Sequence, residues 1–244
     1  MIELADVKLV YGKVLPNVTP LPEQDLARGP SQVFCGRDVF SWPGIEDGGC
    51  RRYMEIYNQT GIISEYCFEC IKIVIGVNSV VELLKLLMLF ERLQLPENNT
   101  RKCMVEKRSL GGSRYKGYIY CRGKEEALQL HAALSPIITG SVSSSARISV
   151  KRGCSEYEEK YPDFAPVGNV CHYPQEWEPI ERGFRHSSMV VPSNVVRRPF
   201  EYFSGDLQAL CFWLRFAATI GDDSYLEIVG HELPPVQGLE RPAA

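Results

Sequence analysis

Five of the nine cysteines in this 244-residue chain stand where thiolate sulfur could hold a metal: Cys67, Cys70, Cys103, Cys121 and Cys154. Cys67-Phe68-Glu69-Cys70 is a Cys-x2-Cys pair. Such a pair with two further thiols is the minimal tetrahedral set for Zn²⁺, and it could equally hold an Fe–S cluster. A second group of residues suits another chemistry. Lys72, Lys116, Arg122, Arg147 and Lys151 lie in or beside the alternating runs 71–75, 115–121 and 147–151, the second of which holds Tyr118 and Tyr120. Cations around aromatic rings are what a surface needs to neutralise phosphates and stack bases. Between Cys67 and Cys154 there are 14 Lys+Arg against 7 Asp+Glu, a net of +7 in a chain of net charge −3, so the flanks carry −10.

The elements that must position these residues are legible in the middle of the chain. Ile71–Ile75 alternates with β-branched residues, as a strand does. Ser79-Val80-Val81-Glu82 has the form of a capping box, and Val80, Leu83, Leu84, Leu87 and Phe90 follow at helical spacing until Pro96. Lys102–Lys107 reads as a second strand, Ser109–Ser113 as a hairpin loop and Tyr115–Cys121 as a third strand. Glu125, Ala127, Leu130 and Leu134 mark a second helix, which Pro136 is expected to close. Arg147–Lys151 is the fourth strand. Strand, helix, hairpin, helix, strand is the split β-α-β order. The chain is therefore expected to be an α+β protein with a ferredoxin-like β-α-β-β-α-β core over residues 63–154. Right-handed crossovers give the strand order 4-1-3-2 with both helices on one face.

That topology sorts both groups of residues. Ile71, Ile73, Ile75, Val105, Ile119, Ile148 and Val150 face the helices, so Lys72, Val74, Lys102, Met104, Lys116, Tyr118, Tyr120, Arg122, Arg147 and Lys151 fall on the other face. The starts of the first two strands and the ends of the last two meet at one edge, which gathers Cys67, Cys70, Cys103, Cys121 and Cys154. The second helix begins beside them at Gly123-Lys124, where its dipole favours thiolates. For Cys67 and Cys70 to bind together, Tyr66–Cys70 must be a turn. Each group also has a plainer reading. Alternation places Cys67, Cys103, Cys121 and Cys154 with the core-facing residues, and cysteine packs well as a small apolar side chain. The flank 155–200, with Glu156, Glu158, Glu159, Glu176, Glu178 and Glu181, could lie across the basic face and pair with its lysines.

Lys116-Gly117-Tyr118-Ile119-Tyr120-Cys121 resembles the first ribonucleoprotein motif of RNA-recognition-motif domains, on the third strand as in that family. Ile73-Val74-Ile75-Gly76 is similar to the partner motif of the first strand. Ile119 fills a usually small position, Gly123 stands where a further aromatic is the rule, and Val74 replaces an aromatic. The resemblance covers residues 67–154. It implies that Tyr118 and Tyr120 stack bases; with the basic face of Lys72, Lys116, Arg122, Arg147 and Lys151, the expectation is a non-catalytic protein that binds nucleic acid, RNA above all, or another polyanion. The alternative is an accessory or structural protein with a protein partner and a cysteine-held Zn or Fe–S centre.

Catalytic signatures are absent: the chain has no Gly-x-Ser-x-Gly elbow, Walker loop, His-Glu-x-x-His or Gly-x-Gly-x-x-Gly. The N-terminal extension, 1–62, has turns around Phe34–Gly49 and a short helix over Arg51–Gln59. Residues 155–244 read as an extended acidic and aromatic wrap, a helix over Asp206–Ile220, a short strand at Tyr225–Val229 and a tail from Pro234. Both flanks are expected to pack on the core as one unit. Cys35, Cys50 and Cys171-His172 are isolated in sequence and join a site only if the flanks fold back. The odd cysteine count and an opening Met1–Asp6 with two acids and no long apolar run fit reduced thiols in a cytoplasm. The longest apolar stretches, Val80–Phe90 and Leu207–Ile220, are too short for a membrane span.

Overall fold

The computed structural model of the chain describes residues 2–12, 15, 38–41, 50–107, 112–184 and 204–236. Cys35, most of the turns expected around Phe34–Gly49, residues 109–111 of the expected hairpin loop, 185–200 of the expected wrap and 237–244 of the expected tail lie outside them. The described chain is α+β. Before the central region come helix α1 (Leu4–Tyr11), strand β1 (Asp38–Ser41), helix α2 (Cys50–Thr60) and a single helical turn, α3 (Tyr66–Glu69). The central region is β2 (Ile71–Val77), α4 (Val80–Arg92), β3 (Arg101–Val105), β4 (Tyr115–Cys121), α5 (Lys124–Ser141) and β5 (Arg147–Arg152).

The strands form one antiparallel sheet in the order β1-β3-β4-β2-β5. β3 and β4 make the expected hairpin, with Lys102 opposite Tyr118 and Cys103 opposite Gly117. β2 lies between β4 and β5, so Lys72 has Tyr120 on one side and Lys151 on the other. β1 adds a fifth strand, with Val39 opposite Cys103. Its short segment Asp38–Ser41 sits in a Pro/Gly-rich region and carries too little pattern to be read as a strand.

α4 begins as its sequence indicates. The Ser79 hydroxyl accepts from the Glu82 amide (3.2 Å), and Glu82 reaches back to the Asn78 amide (2.7 Å). A distant residue completes the cap, because Asp222 accepts from the Val80 amide (2.7 Å) and from the Tyr115 hydroxyl (2.6 Å). The helix buries Leu83, Leu84, Leu86, Leu87, Met88 and Phe90 against Ile73, Ile75, Val105 and Ile119. Gly117 lets it approach: a Cβ there would lie 2.5 Å from Leu86 Cδ2 and 3.1 Å from Phe90 Cζ. Gly117→Ala should therefore destabilise the fold by about 1–3 kcal/mol through overpacking, read as a lower denaturation midpoint. An unchanged midpoint would mean that α4 shifts freely, contrary to this packing.

Two expectations are corrected. Pro136 does not close α5, which runs on to Ser141. The Ser135 hydroxyl donates to the His131 carbonyl (2.6 Å) and the Thr139 hydroxyl to the Ser135 carbonyl (2.9 Å), and the continued helix buries Ile138 in the core. Burial thus outweighs the bond that proline removes. Tyr225–Val229 is not a strand. A 3-10 turn (Asp223–Tyr225) leads into a short helix, Leu226–Val229, because the Asp222 side chain caps the Ser224 amide (3.1 Å) and Gly230 ends the helix at φ 73°. The helix over Ser204–Ile220 packs on β1, β3 and α4 and buries residues nearly all round, including Trp213 and Phe216.

A second, smaller core lies on the other side of the sheet. Ile63, Cys67, Tyr157 and Phe164 are buried there, with Tyr53, Met54, Tyr57, Phe68, Cys154, Tyr161, Cys171 and Trp177 packed around them. The acidic flank supplies much of this layer through Ser155–Tyr157, Gln175–Trp177 and Glu178–Gly183, which are short helical turns rather than extended chain. Among the described residues no helix is long and apolar enough to cross a membrane.

Candidate functional site: a thiol and lysine cluster on the covered sheet face

The five cysteines do not form one site. Cys103 and Cys121 point toward the helices and belong to the main core, while Cys67 and Cys154 belong to the second core across the sheet. Among the described residues, no group of three or more His, Cys, Asp or Glu is placed to hold a metal ion. The Zn or Fe–S centre expected over Cys67, Cys70, Cys103, Cys121 and Cys154 is thus not assembled. Gly153 explains much of this. It leaves β5 at φ 60°, and its amide donates to the Cys70 carbonyl (2.8 Å). That left-handed step interrupts the strand alternation that would have kept Cys154 on the helix side. A Cβ at Gly153 would also lie 2.5 Å from Phe164 Cε1.

The Cys-x2-Cys segment is indeed a turn. The Cys67 amide donates to the Ser64 carbonyl (2.9 Å), and Cys70 ends α3 just before β2. What gathers beside it is a different set. Cys50, at the start of α2, is an electrostatic neighbour of Cys154. Lys72 extends from β2 to place Nζ 3.8 Å from Cys154 Sγ. Cys67 Sγ lies 3.3 Å from the Tyr157 hydroxyl. Cys50, Cys70 and Cys154 are each partly exposed, and Cys67 is buried.

The electrostatics of this set are asymmetric. Burial pushes the Cys67 thiol up to about 12 and raises Cys70 as well. Cys154 moves the other way. Its neighbour Cys50 stabilises the thiolate, and the Lys72 ammonium adds to this against the opposing effect of burial. Cys50, beside that sulfur, holds its proton more tightly than an ordinary thiol. Burial works against the charge on Lys72, yet Cys154, Tyr120, Cys70 and Tyr118 together raise it above its ordinary value. Anion and cation hold each other in place.

The residues expected to bind nucleic acid are mostly engaged within the chain. Lys72 is 5% exposed and Tyr118 8% exposed. Lys72 Nζ lies 5.4 Å from the centre of the Tyr118 ring and 5.7 Å from that of Tyr120, while Lys102 Nζ lies 5.5 Å from the Tyr118 ring. The rings thus receive lysine cations from the sheet itself. Lys116 pairs with Glu106 (3.4 Å), Lys151 with Glu158 and Arg122 with Glu97, and Arg147 donates to the Ser113 hydroxyl (2.8 Å). Glu158 comes from the acidic flank, as the plainer reading anticipated. Tyr57 of α2 fastens the cover by donating to the Glu156 carbonyl (3.1 Å).

Cys50 and Tyr157 are the members that sequence reasoning did not assign. No spacing rule connects Cys50 to Cys154, and Tyr157 lies in an acidic run without a motif. No protein-family model, curated protein or solved structure matches this chain.

Proposed function

We propose that this chain works through a cysteine thiolate at the covered end of its sheet. Cys154 is the reactive sulfur and Lys72 its counter-ion. A ferredoxin-like β-α-β-β-α-β unit carries the site, a reading supported by the order β3-β4-β2-β5 and by the two helices between the paired strands.

The observation that carries this reading is the 3.8 Å approach of Lys72 Nζ to Cys154 Sγ at a lysine that is 5% exposed. Burying an ammonium is costly unless it is paired. Among the described residues its hydrogen-bond acceptor is that sulfur, with aromatic rings beneath. A cysteine that only filled space would need no such cation. Thiolates, not thiols, are the nucleophiles, and a neighbouring lysine is a recognised means of producing one. The same burial counts against the polyanion reading, because bases cannot stack on Tyr118 while Lys72, Lys102 and the second core cover it.

Alkylation tests the proposal. Limiting iodoacetamide at neutral pH, followed by peptide mapping of the folded chain, should label Cys154 on the order of tenfold faster than the partly exposed Cys171. Cys103 and Cys121, buried in the main core, should lag behind both. Equal labelling of Cys154 and Cys171 would remove the basis of the proposal.

A further inference from the structure

We propose that hydrogen peroxide oxidises Cys154 and that Lys72 captures the product, joining the two side chains through a reversible sulfur–nitrogen bond. This rests on the reactive-thiolate reading of Cys154 and adds a co-reactant and the group that captures the oxidised sulfur. Lys72 Nζ already lies 3.8 Å from Cys154 Sγ, and the lysine is 5% exposed. Two rings hold its head in place, with the centre of Tyr118 5.4 Å away and that of Tyr120 5.7 Å away. Cys154 is partly exposed, so a molecule as small as peroxide reaches its sulfur. Cys67 is buried and engaged with the Tyr157 hydroxyl at 3.3 Å.

The chemistry has two steps. The Cys154 thiolate attacks one oxygen of HOOH, forming the sulfenic acid Cys154–S–OH and expelling hydroxide. The sulfur is then neutral, and Lys72 has lost the anion that offset the cost of burying its charge. The hydroxide takes a proton from the ammonium and becomes water. The freed amine attacks the sulfenic sulfur, so that an S–N bond forms and the S–O bond breaks. The departing hydroxide takes a proton from the nitrogen and becomes a second water. In sum, one thiolate, one ammonium and one HOOH become one S–NH link and two waters, with two electrons passing from sulfur to peroxide. Sulfenic acids condense with nitrogen as well as with thiols. β2 and β5 are already paired, with Ile71 opposite Arg152, so closure needs only side-chain movement. The link masks the thiolate in a form that thiols restore, whereas the sulfinic acid beyond it is not recovered in that way.

Equimolar hydrogen peroxide on the full, folded chain, followed by digestion without reductant, tests this. The Lys72 peptide should appear joined to the Cys154 peptide at the sum of their masses less two hydrogens, and dithiothreitol should release both. Lys72→Arg keeps a cation beside the sulfur, but a guanidinium stays protonated and cannot act as the nucleophile. In that variant the linked peptide should be lost and dimedone should trap the sulfenic acid on Cys154. Cys154→Ser should give neither product. Wild-type chain in which Cys154 carries a sulfenic or sulfinic acid while Lys72 stays unlinked would overturn the cross-link and leave the reactive-thiolate reading standing. A disulfide from Cys154 to Cys50, Cys67 or Cys70 would overturn Lys72 as the capturing group. If Cys154 is unmodified by both peroxide and iodoacetamide, the cross-link and the underlying reading fall together. The wild-type peptide map decides among these outcomes even if a variant folds poorly.

Discussion

Replacing Lys72 by Met slows alkylation of Cys154 at neutral pH by about ten- to a hundredfold and leaves the fold in place. One pKa unit is a tenfold change in the ionised fraction, and the ammonium contacts the sulfur directly. The groups facing Cys154 are Cys50, Lys72, Glu156 and Lys102, with Cys67, Cys70, Tyr120 and Tyr157 nearby. Among the cations, Lys72 has the larger effect and Lys102 the smaller. The sign follows from the charge. A thiol whose folded-state value is depressed contributes stability above its unfolded value, and that contribution is lost as pH falls through the folded value. Wild-type Cys154 therefore stays reactive at pH values where an ordinary thiol is protonated. In Lys72→Met its reactivity returns only as pH rises toward the ordinary thiol range. Methionine keeps the length and apolar stem that lie over Tyr118 and Tyr120, so the packing survives. The rate of Cys154 labelling against pH, measured beside a thermal melt, reads both parts. A wild-type pH profile in the variant would show that the lysine does not stabilise the thiolate.

Replacing Arg101 by Ala costs about 3 kcal/mol of stability, because a buried carbonyl left without its donor costs about 1–3 kcal/mol. Arg101 is 1% exposed, on the helix side of β3. Its guanidinium donates to the carbonyls of Phe90, Leu93 (2.9 Å) and Asn99 (3.0 Å). Two of these belong to the C-terminal end of α4, where the last carbonyls have no partner within the helix. Burial lowers the guanidinium to about 10 and Glu91 opposes this, so the group remains a cation at neutral pH. Alanine would leave those carbonyls without their donor and would open a cavity between β3 and α4. Denaturant unfolding followed by circular dichroism measures the loss. A cost below about 1 kcal/mol would show that water replaces the arginine at little expense.

Local pattern carried the central region because its signals are local. The alternation of Ile71–Ile75 and the cap at Ser79 and Glu82 each need only a few adjacent residues. Those signals set which residues of β2, β3, β4 and β5 face the helices, and Lys72, Tyr118 and Tyr120 do lie on the opposite face. They failed where distant packing outweighs propensity. α5 continues through Pro136 because Ile138 is buried beyond it. β1 pairs with β3 although its own four residues hardly mark a strand.

The sequence by itself therefore determined the α+β class, the sorting of residues between the two faces of the sheet and the positive charge of the central region. Tertiary structure alone decided what those charges and thiols do. Whether Tyr118 meets solvent depends on where residues 50–60 and 154–184 lie, and hydrophobic burial of Tyr157, Phe164 and their neighbours brings those segments together. Which cysteines meet depends on one backbone angle, at Gly153, and on α2 arriving from a distant part of the chain. Side-chain periodicity holds only while a strand remains regular, so it assigned Cys154 to the helix side. A single left-handed residue turned that sulfur across the sheet to Lys72 and Cys50.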